Sequence, residues 1–187
     1  MRELARRADT SPGYVTRILK FLEAEDVVAR DAKGVVANVN WTDLLRRWAR
    51  DYEVAKTNRA VVCLEPRGVD AMLAKLKNYK QRWALTGSMA IPAGAASASS
   101  RTMSCYLEDP ERAARDLQLK SVDSGANVIL LEPYNQVIWE RTRNERDLNC
   151  VAVSQCAVDL LTGAGREPSE AQALLQWMAK NEDAWRA

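Results

Sequence analysis

The chain opens with Met1-Arg-Glu-Leu-Ala-Arg-Arg-Ala8, followed by Ser11-Pro-Gly-Tyr-Val-Thr-Arg-Ile-Leu-Lys-Phe-Leu22 and by Val27-Val-Ala-Arg-Asp-Ala-Lys-Gly-Val-Val36. The first segment predicts a short helix and the second a longer amphipathic helix. The third predicts a hairpin with a glycine at its tip. This order of helix, turn, helix and hairpin is typical of a winged helix-turn-helix and favours DNA binding.

The second of these helices carries most of the residues that we expect to meet DNA. Ser11 supplies an N-cap side chain, and Pro12 suits the first helical position. The apolar stripe of the helix, at i, i+3, i+4 and i+7, consists of Val15, Ile18, Leu19 and Leu22. The predicted DNA-binding residues are Ser11, Gly13, Tyr14, Thr16, Arg17 and Lys20 from the helix, with Arg30 and Lys33 from the hairpin.

Two further interpretations of this segment stay open. Many small helical domains carry arginines on amphipathic helices, so a winged helix that binds protein is the alternative. A winged helix also normally has one more helix before this pair. We therefore expect either that the natural beginning is missing, or that a partner subunit or the C-terminal domain covers Leu4, Val15 and Ile18.

The positive charge of the chain is concentrated near its start. The 187 residues carry a net charge of only +2. Residues 1–20 hold five Lys or Arg against two Asp or Glu, whereas residues 53–187 hold seventeen of each sign. We therefore expect a phosphate-binding surface near the N-terminus, where this excess of positive charge lies. No run is long enough to span a membrane and no signal peptide is visible, so we expect a cytoplasmic protein without a membrane partner.

The composition also argues against an enzyme. There is no histidine, which removes the Ser-His-Asp and Cys-His arrangements. The four cysteines, at positions 63, 105, 150 and 156, match no zinc spacing, and we expect free thiols, three of them in apolar strand-like runs as small core residues. We therefore expect no metal, no cofactor and no catalytic residue.

The fold class predicted is α+β. A winged helix-turn-helix over 1–52 and a linker over 53–59 lead into a mixed α/β domain over 60–187, built on a sheet of roughly five strands. The predicted strands are Ala60–Leu64, Trp83–Leu85, Thr102–Leu107, Asn127–Leu131 and Leu148–Val153, with Gln136–Arg141 as the hairpin partner of the fourth. Ser154 is expected to cap the helix that follows.

The turn at Thr86, Gly87 and Ser88 is the possible ligand site of this second domain. A strand that ends in Gly-Ser before a helix resembles the phosphate-binding turn of nucleotidyltransferases. Residues 93–103 lack the acidic pair that two-metal chemistry requires. The alternative function is therefore a nucleotide-binding or degenerate nucleotidyltransferase-like domain.

Three stretches of the second domain resemble a known family. They are Thr86-Gly-Ser88, Ala126-Asn-Val-Ile-Leu-Leu-Glu-Pro-Tyr134, and a tail running from Ser154-Gln through Asp159-Leu-Leu-Thr-Gly-Ala-Gly-Arg166 to Trp177-Met. With the N-terminal motif, they resemble actinobacterial winged-helix transcriptional regulators similar to the AbiEi-type antitoxins of type IV toxin–antitoxin systems. The resemblance implies an autorepressor that binds inverted repeats in double-stranded DNA and whose C-terminal domain opposes a nucleotidyltransferase-like toxin. A homodimer would match such operators, although no heptad seam is visible.

Overall fold

The computed structural model of the protein describes residues 2–95 and 100–186. Its contacts divide the chain into two compact units, Met1–Trp48 and Ala49–Ala187, which we call the N-terminal unit and the C-terminal unit. The predicted linker, 53–59, contains a short helix and the first residue of a strand.

The N-terminal unit has the element order that the sequence predicts. Its elements are α1 (Arg2–Arg7), α2 (Pro12–Ala24), β1 (Val28–Arg30), β2 (Val36–Val39) and α3 (Trp41–Asp51), the last of which ends beyond Trp48. The two strands pair antiparallel. A small core holds the unit together, and its buried members are Ala5, Val15, Leu19, Val27 and Val28.

Within the described residues 49–95 and 100–186, the C-terminal unit is built on a seven-stranded mixed sheet. Its strands are β3 (Arg59–Leu64), β4 (Trp83–Thr86), β5 (Met103–Leu107), β6 (Lys120–Ser121), β7 (Val128–Glu132), β8 (Arg143–Glu145) and β9 (Leu148–Cys150). They lie in the order β6-β3-β7-β5-β4-β9-β8. The pairs β5/β7 and β4/β9 are parallel, and the other neighbours are antiparallel.

Helices cover this sheet and complete the core. They are α4 (Val54–Thr57), α5 (Val69–Asn78), α6 (Pro110–Asp116), α7 (Val153–Leu161), α8 (Glu167–Lys180) and α9 (Glu182–Arg186), with 3-10 helices at Gly87–Ala90 and Gln136–Trp139. Helix α6 packs on β3, β5 and β7, while α7 packs on β4 and α8. Strand β7 is nearly all apolar and lies third in the sheet, which agrees with the central position expected from its sequence.

Three sequence predictions for this unit are wrong. Among the described residues the sheet has seven strands rather than about five, since the short polar strands β6 and β8 lie outside the segments that the sequence predicted to be strands. The segment 136–141 does not pair with β7, because β3 and β5 already occupy both of its edges. Strand β9 ends at Cys150 and α7 begins at Val153, so Ser154 lies inside the helix rather than capping it.

Candidate nucleic-acid interface

Helix α2 is held in place by its cap and its buried stripe. The Ser11 Oγ accepts a hydrogen bond from the Tyr14 backbone N–H at 3.1 Å, and Pro12 occupies the first helical position. Val15 and Leu19 are buried against α1 and the hairpin. The Ser11 oxygen is thus engaged in the cap that we predicted, and α2 is fixed on the surface of the unit with one face outward.

The outward face of α2 presents a cation beside an aromatic ring. Tyr14 is 48% exposed, and Arg17 and Lys20 are exposed as well. The Arg17 guanidinium carbon lies 5.7 Å from the centre of the Tyr14 ring, which is within the range of a cation–π contact. Thr16 differs, because it is half-buried and its hydroxyl donates back to the Pro12 carbonyl at 2.9 Å.

The two predicted cations of the hairpin have different surroundings. Arg30 forms a two-pronged ion pair with Glu23 of α2, with Nε at 2.7 Å from Oε1. This partner raises the pKa of Arg30 and lowers that of Glu23. Lys33 lies at the exposed tip, where Asp31 Oδ1 accepts the backbone N–H groups of Lys33 and Val35, each at 2.9 Å. The tip is ordered by Asp31, and Lys33 remains available to a phosphate.

Ion pairing separates the cations of this unit into two groups. Five arginines contact carboxylates, and the pairs are Arg6–Glu3, Arg7–Glu3, Arg30–Glu23, Arg46–Asp43 and Arg47–Glu25. Within residues 2–48, the cations without an ion-pair partner are Arg2, Arg17, Lys20 and Lys33. Three of these four belong to the predicted DNA-binding set, whereas Arg30 of that set is engaged within the protein.

An apolar groove of about 540 Å³ lies on the N-terminal unit. It is lined by side chains of both first helices, the hairpin and α3, among them Leu4, Ile18, Val36 and Leu44. Leu4 is 47% exposed and Ile18 is 39% exposed, as the sequence predicted, but Val15 is buried at 6%. Val15 therefore does not need the cover that we expected from a partner subunit or the C-terminal domain, because α1 and the hairpin already enclose this side chain.

In the C-terminal unit, the possible ligand turn is engaged with carboxylates of the protein itself. The Thr86 hydroxyl donates to Asp159, and the Ser88 hydroxyl donates to Glu170. A Cβ on Gly87 would lie 2.8 Å from Oε1 of Glu167, so this carboxylate packs directly on the turn. An incoming phosphate would have to displace these contacts, and the assignment of a ligand to residues 86–88 remains a prediction.

A buried polar network surrounds Asp159, which is 2% exposed. Its carboxylate accepts hydrogen bonds from the hydroxyls of Tyr52 at 2.8 Å and Tyr106 at 3.0 Å, from Gln155 Nε2 at 2.8 Å, and from Thr86. Burial raises the pKa of Asp159 to about 6, and these hydrogen bonds oppose part of the rise. Burial also raises the pKa of both tyrosines.

Sequence reasoning missed this network, although one signal was present. Gln155 and Asp159 are four residues apart in the otherwise apolar helix α7, so they share a helical face. Two polar side chains at that spacing inside a buried helix indicate an internal hydrogen-bond network. The network is enclosed and has satisfied partners, which is typical of a structural role.

The described part of the chain offers no cluster of His, Cys, Asp or Glu that could hold a metal ion. Its four cysteines are free and buried, and burial raises their pKa. Thiols with raised pKa are poor nucleophiles, since the thiolate is the reactive form. Among residues 2–95 and 100–186, no helix combines the length and apolarity needed to cross a bilayer.

A family model described as "Transcriptional regulator, AbiEi antitoxin, Type IV TA system" matches residues 38–179. The matched segment includes α3 and nearly all of the C-terminal unit, and it begins after the α2 surface described above. No curated protein and no solved structure matches the chain.

Proposed function

The chain belongs to the AbiEi antitoxin family of transcriptional regulators of type IV toxin–antitoxin systems, and we propose that it binds double-stranded DNA through its N-terminal unit. The proposed binding domain is 1–52, followed by a linker over 53–59 and a C-terminal domain over 60–187. Because the family match begins at residue 38, support for the DNA-binding surface comes from the geometry of α2 and the hairpin.

The observation that carries this proposal is the distribution of unpaired cations. Arg17 and Lys20 on α2 and Lys33 on the hairpin have no ion-pair partner among the described residues, while most other arginines of the unit are neutralised. A cation that is free in the protein binds phosphate without first breaking an internal ion pair. Helix α2 is the second helix of the helix–turn–helix pair, the position from which a recognition helix enters the major groove.

A salt titration of DNA binding tests the proposal. If Arg17, Lys20 and Lys33 each neutralise a phosphate or displace a counterion, the logarithm of the affinity should fall with the logarithm of salt at a slope of about −3 per bound unit. Lys20→Ala should reduce this slope by about one. Arg46→Ala is the matched control, because Arg46 is paired with Asp43 and should leave the slope unchanged. Equal salt slopes for wild type and Lys20→Ala would contradict the proposal that this face of α2 binds DNA phosphates.

We propose further that the protein is an autorepressor and antitoxin. It would bind inverted repeats upstream of its own gene as a homodimer, and its C-terminal domain would oppose a nucleotidyltransferase-like toxin. Footprinting on the upstream region tests autorepression, and sedimentation with and without that DNA tests the dimer. Co-expression with a nucleotidyltransferase gene from the same locus tests the antitoxin role, and toxicity unchanged by the C-terminal domain would refute it.

Nucleotide binding at residues 86–88 is the competing proposal. Calorimetry with ATP and magnesium distinguishes the two. We expect no binding heat, because the hydroxyls of Thr86 and Ser88 already donate to Asp159 and Glu170. Saturable heat that is lost in Ser88→Ala would favour the nucleotide site instead.

A further inference from the structure

The outward stripe of α2 contains a glycine that the fold does not require. Gly13 has an ordinary negative-φ backbone, and a Cβ at this position would meet only Ser11 Oγ, at 4.0 Å. Gly13 is the second residue of α2, and neither its φ nor its packing in the protein requires a glycine there. Its missing Cβ leaves the backbone of this first turn open to close approach from outside the protein.

Gly13 lies on the same outward face of α2 as the cations of this helix that have no ion-pair partner. Residues 13, 17 and 20 are spaced i, i+4 and i+7, which places Gly13, Arg17 and Lys20 on one face. The buried side chains Val15 and Leu19 face the protein core instead. This face of the helix therefore has no side chain at Gly13, near its N-terminal end, and is positively charged in the following turns. That arrangement suits a helix whose first turn enters a groove.

Arg17 differs from Lys20 in how it is held. Its guanidinium lies 5.7 Å from the Tyr14 ring centre, and Tyr14 is itself tied to the helix start because its backbone N–H donates to Ser11. A guanidinium that is already oriented loses less freedom when it binds, and its planar fork matches the O6 and N7 acceptors of guanine. Lys20 carries a flexible point charge, which suits a phosphate.

From these observations we propose that Arg17 reads a guanine base edge in the major groove and that Gly13 admits the DNA close to the backbone of α2. This inference rests on the proposed DNA-binding function and names the base that the same surface recognises. Tyr14 acts as a positioning residue that orients Arg17. The predicted partner is a duplex whose recognition sequence contains at least one required guanine.

Selection from a pool of randomised DNA duplexes tests the inference with the full chain. Wild type and Arg17→Ala, which removes every donor of the guanidinium, are each used to enrich duplexes. In the wild-type consensus, every guanine is then replaced in turn by 7-deazaguanine, which lacks the N7 acceptor. We expect one replacement to weaken wild-type binding by about tenfold and to leave Arg17→Ala binding unchanged. Arg46→Ala is the control and should behave as wild type, because Arg46 is paired with Asp43.

Gly13→Ala supplies a second, independent readout. The variant should weaken binding to the selected duplex by about tenfold while its melting temperature stays equal to or above that of wild type, because the added methyl has open space in the free protein. Binding that is unaffected by this methyl would overturn the close approach. A consensus without guanine, or a guanine preference retained by Arg17→Ala, would overturn base reading while leaving DNA binding intact. Failure to bind any duplex would overturn the proposed function itself.

Discussion

Replacing Asp159 by asparagine should remove a pH dependence of stability that the buried network creates. The carboxylate is 2% exposed and accepts hydrogen bonds from Tyr52, Tyr106, Thr86 and Gln155. Burial raises the pKa of Asp159 from 3.8 to about 6. Asparagine has nearly the same shape and stays neutral, and hydroxyls can accept as well as donate, so its amide can be accommodated.

The sign of the effect follows from linkage. A carboxyl whose pKa is higher in the folded than in the unfolded protein is protonated more readily when folded. The contribution of Asp159 to the free energy of unfolding is therefore fully present below the unfolded pKa, near pH 4. It is lost as the pH rises through about 6. A difference of about two pKa units corresponds to about 3 kcal/mol, at 1.36 kcal/mol per unit.

Urea unfolding over a series of pH values measures this contribution. Other groups also titrate, so the informative quantity is the difference in unfolding free energy between Asp159→Asn and wild type at each pH. We expect the variant to gain about 3 kcal/mol relative to wild type between about pH 3.5 and pH 7.5. Asp123→Asn, at an exposed aspartate, is the control and should give a flat difference. A flat difference for Asp159→Asn would refute the raised pKa.

Tyr52→Phe should lower the free energy of unfolding, measured in urea, by about 1.5–3 kcal/mol, because it removes a hydrogen bond to the Asp159 carboxylate. Tyr134→Phe, at an exposed ring, is the control and should change this free energy by less than about 0.5 kcal/mol. Lys33→Ala should reduce the salt slope of DNA binding by about one without lowering the melting temperature, because Lys33 has no ion-pair partner among the described residues. An unchanged slope would show that the hairpin tip does not contact the DNA. Lys75→Ala should cost about 1.5–3 kcal/mol in urea unfolding, because it removes the ammonium hydrogen bond to the buried Glu65 carboxylate, which stays paired with Arg67 at 3.7 Å. A loss below about 1 kcal/mol would contradict this.

Local sequence signals predicted the elements whose chemistry is local. Ser11 and Pro12 marked the start of α2, and the structure shows the cap hydrogen bond that they imply. The apolar run at 127–131 marked the central strand β7. In each case the deciding interactions lie within a few residues in sequence, or depend on the periodicity of one segment, so they can be read without knowing the fold.

The strand predictions failed where residues that are distant in sequence determine the pairing. The segment 136–141 alternates like a strand, but β7 already pairs with β3 and β5, whose residues lie far away in sequence. The polar strand β8 forms because β9 offers it an edge, a property of the sheet rather than of residues 143–145. Strand pairing is non-local, and local periodicity carries no information about which edges remain open.

The same distinction applies to the candidate DNA-binding surface. The sequence identified Arg17 and Arg30 equally, since both are cations in a plausible motif. Only the packing of the hairpin on α2 shows that Arg30 is bound to Glu23, seven residues away, and that Arg17 is not paired. Ion-pair partners across elements depend on tertiary structure, so a count of positive charges overstates the surface that a phosphate can use.

Two independent lines therefore support a regulator, and they concern different residues. The family match covers 38–179, whereas the free cations Arg17, Lys20 and Lys33 precede it. The unpaired cations support a DNA-binding surface on electrostatic grounds that do not depend on the family match. The family match supports a role in transcriptional regulation and does not include those cations. Because the two sets of residues do not overlap, the two activities should be separable by mutation. Arg17→Ala should abolish guanine recognition and leave the proposed toxin antagonism intact, since every residue of the matched segment is unchanged.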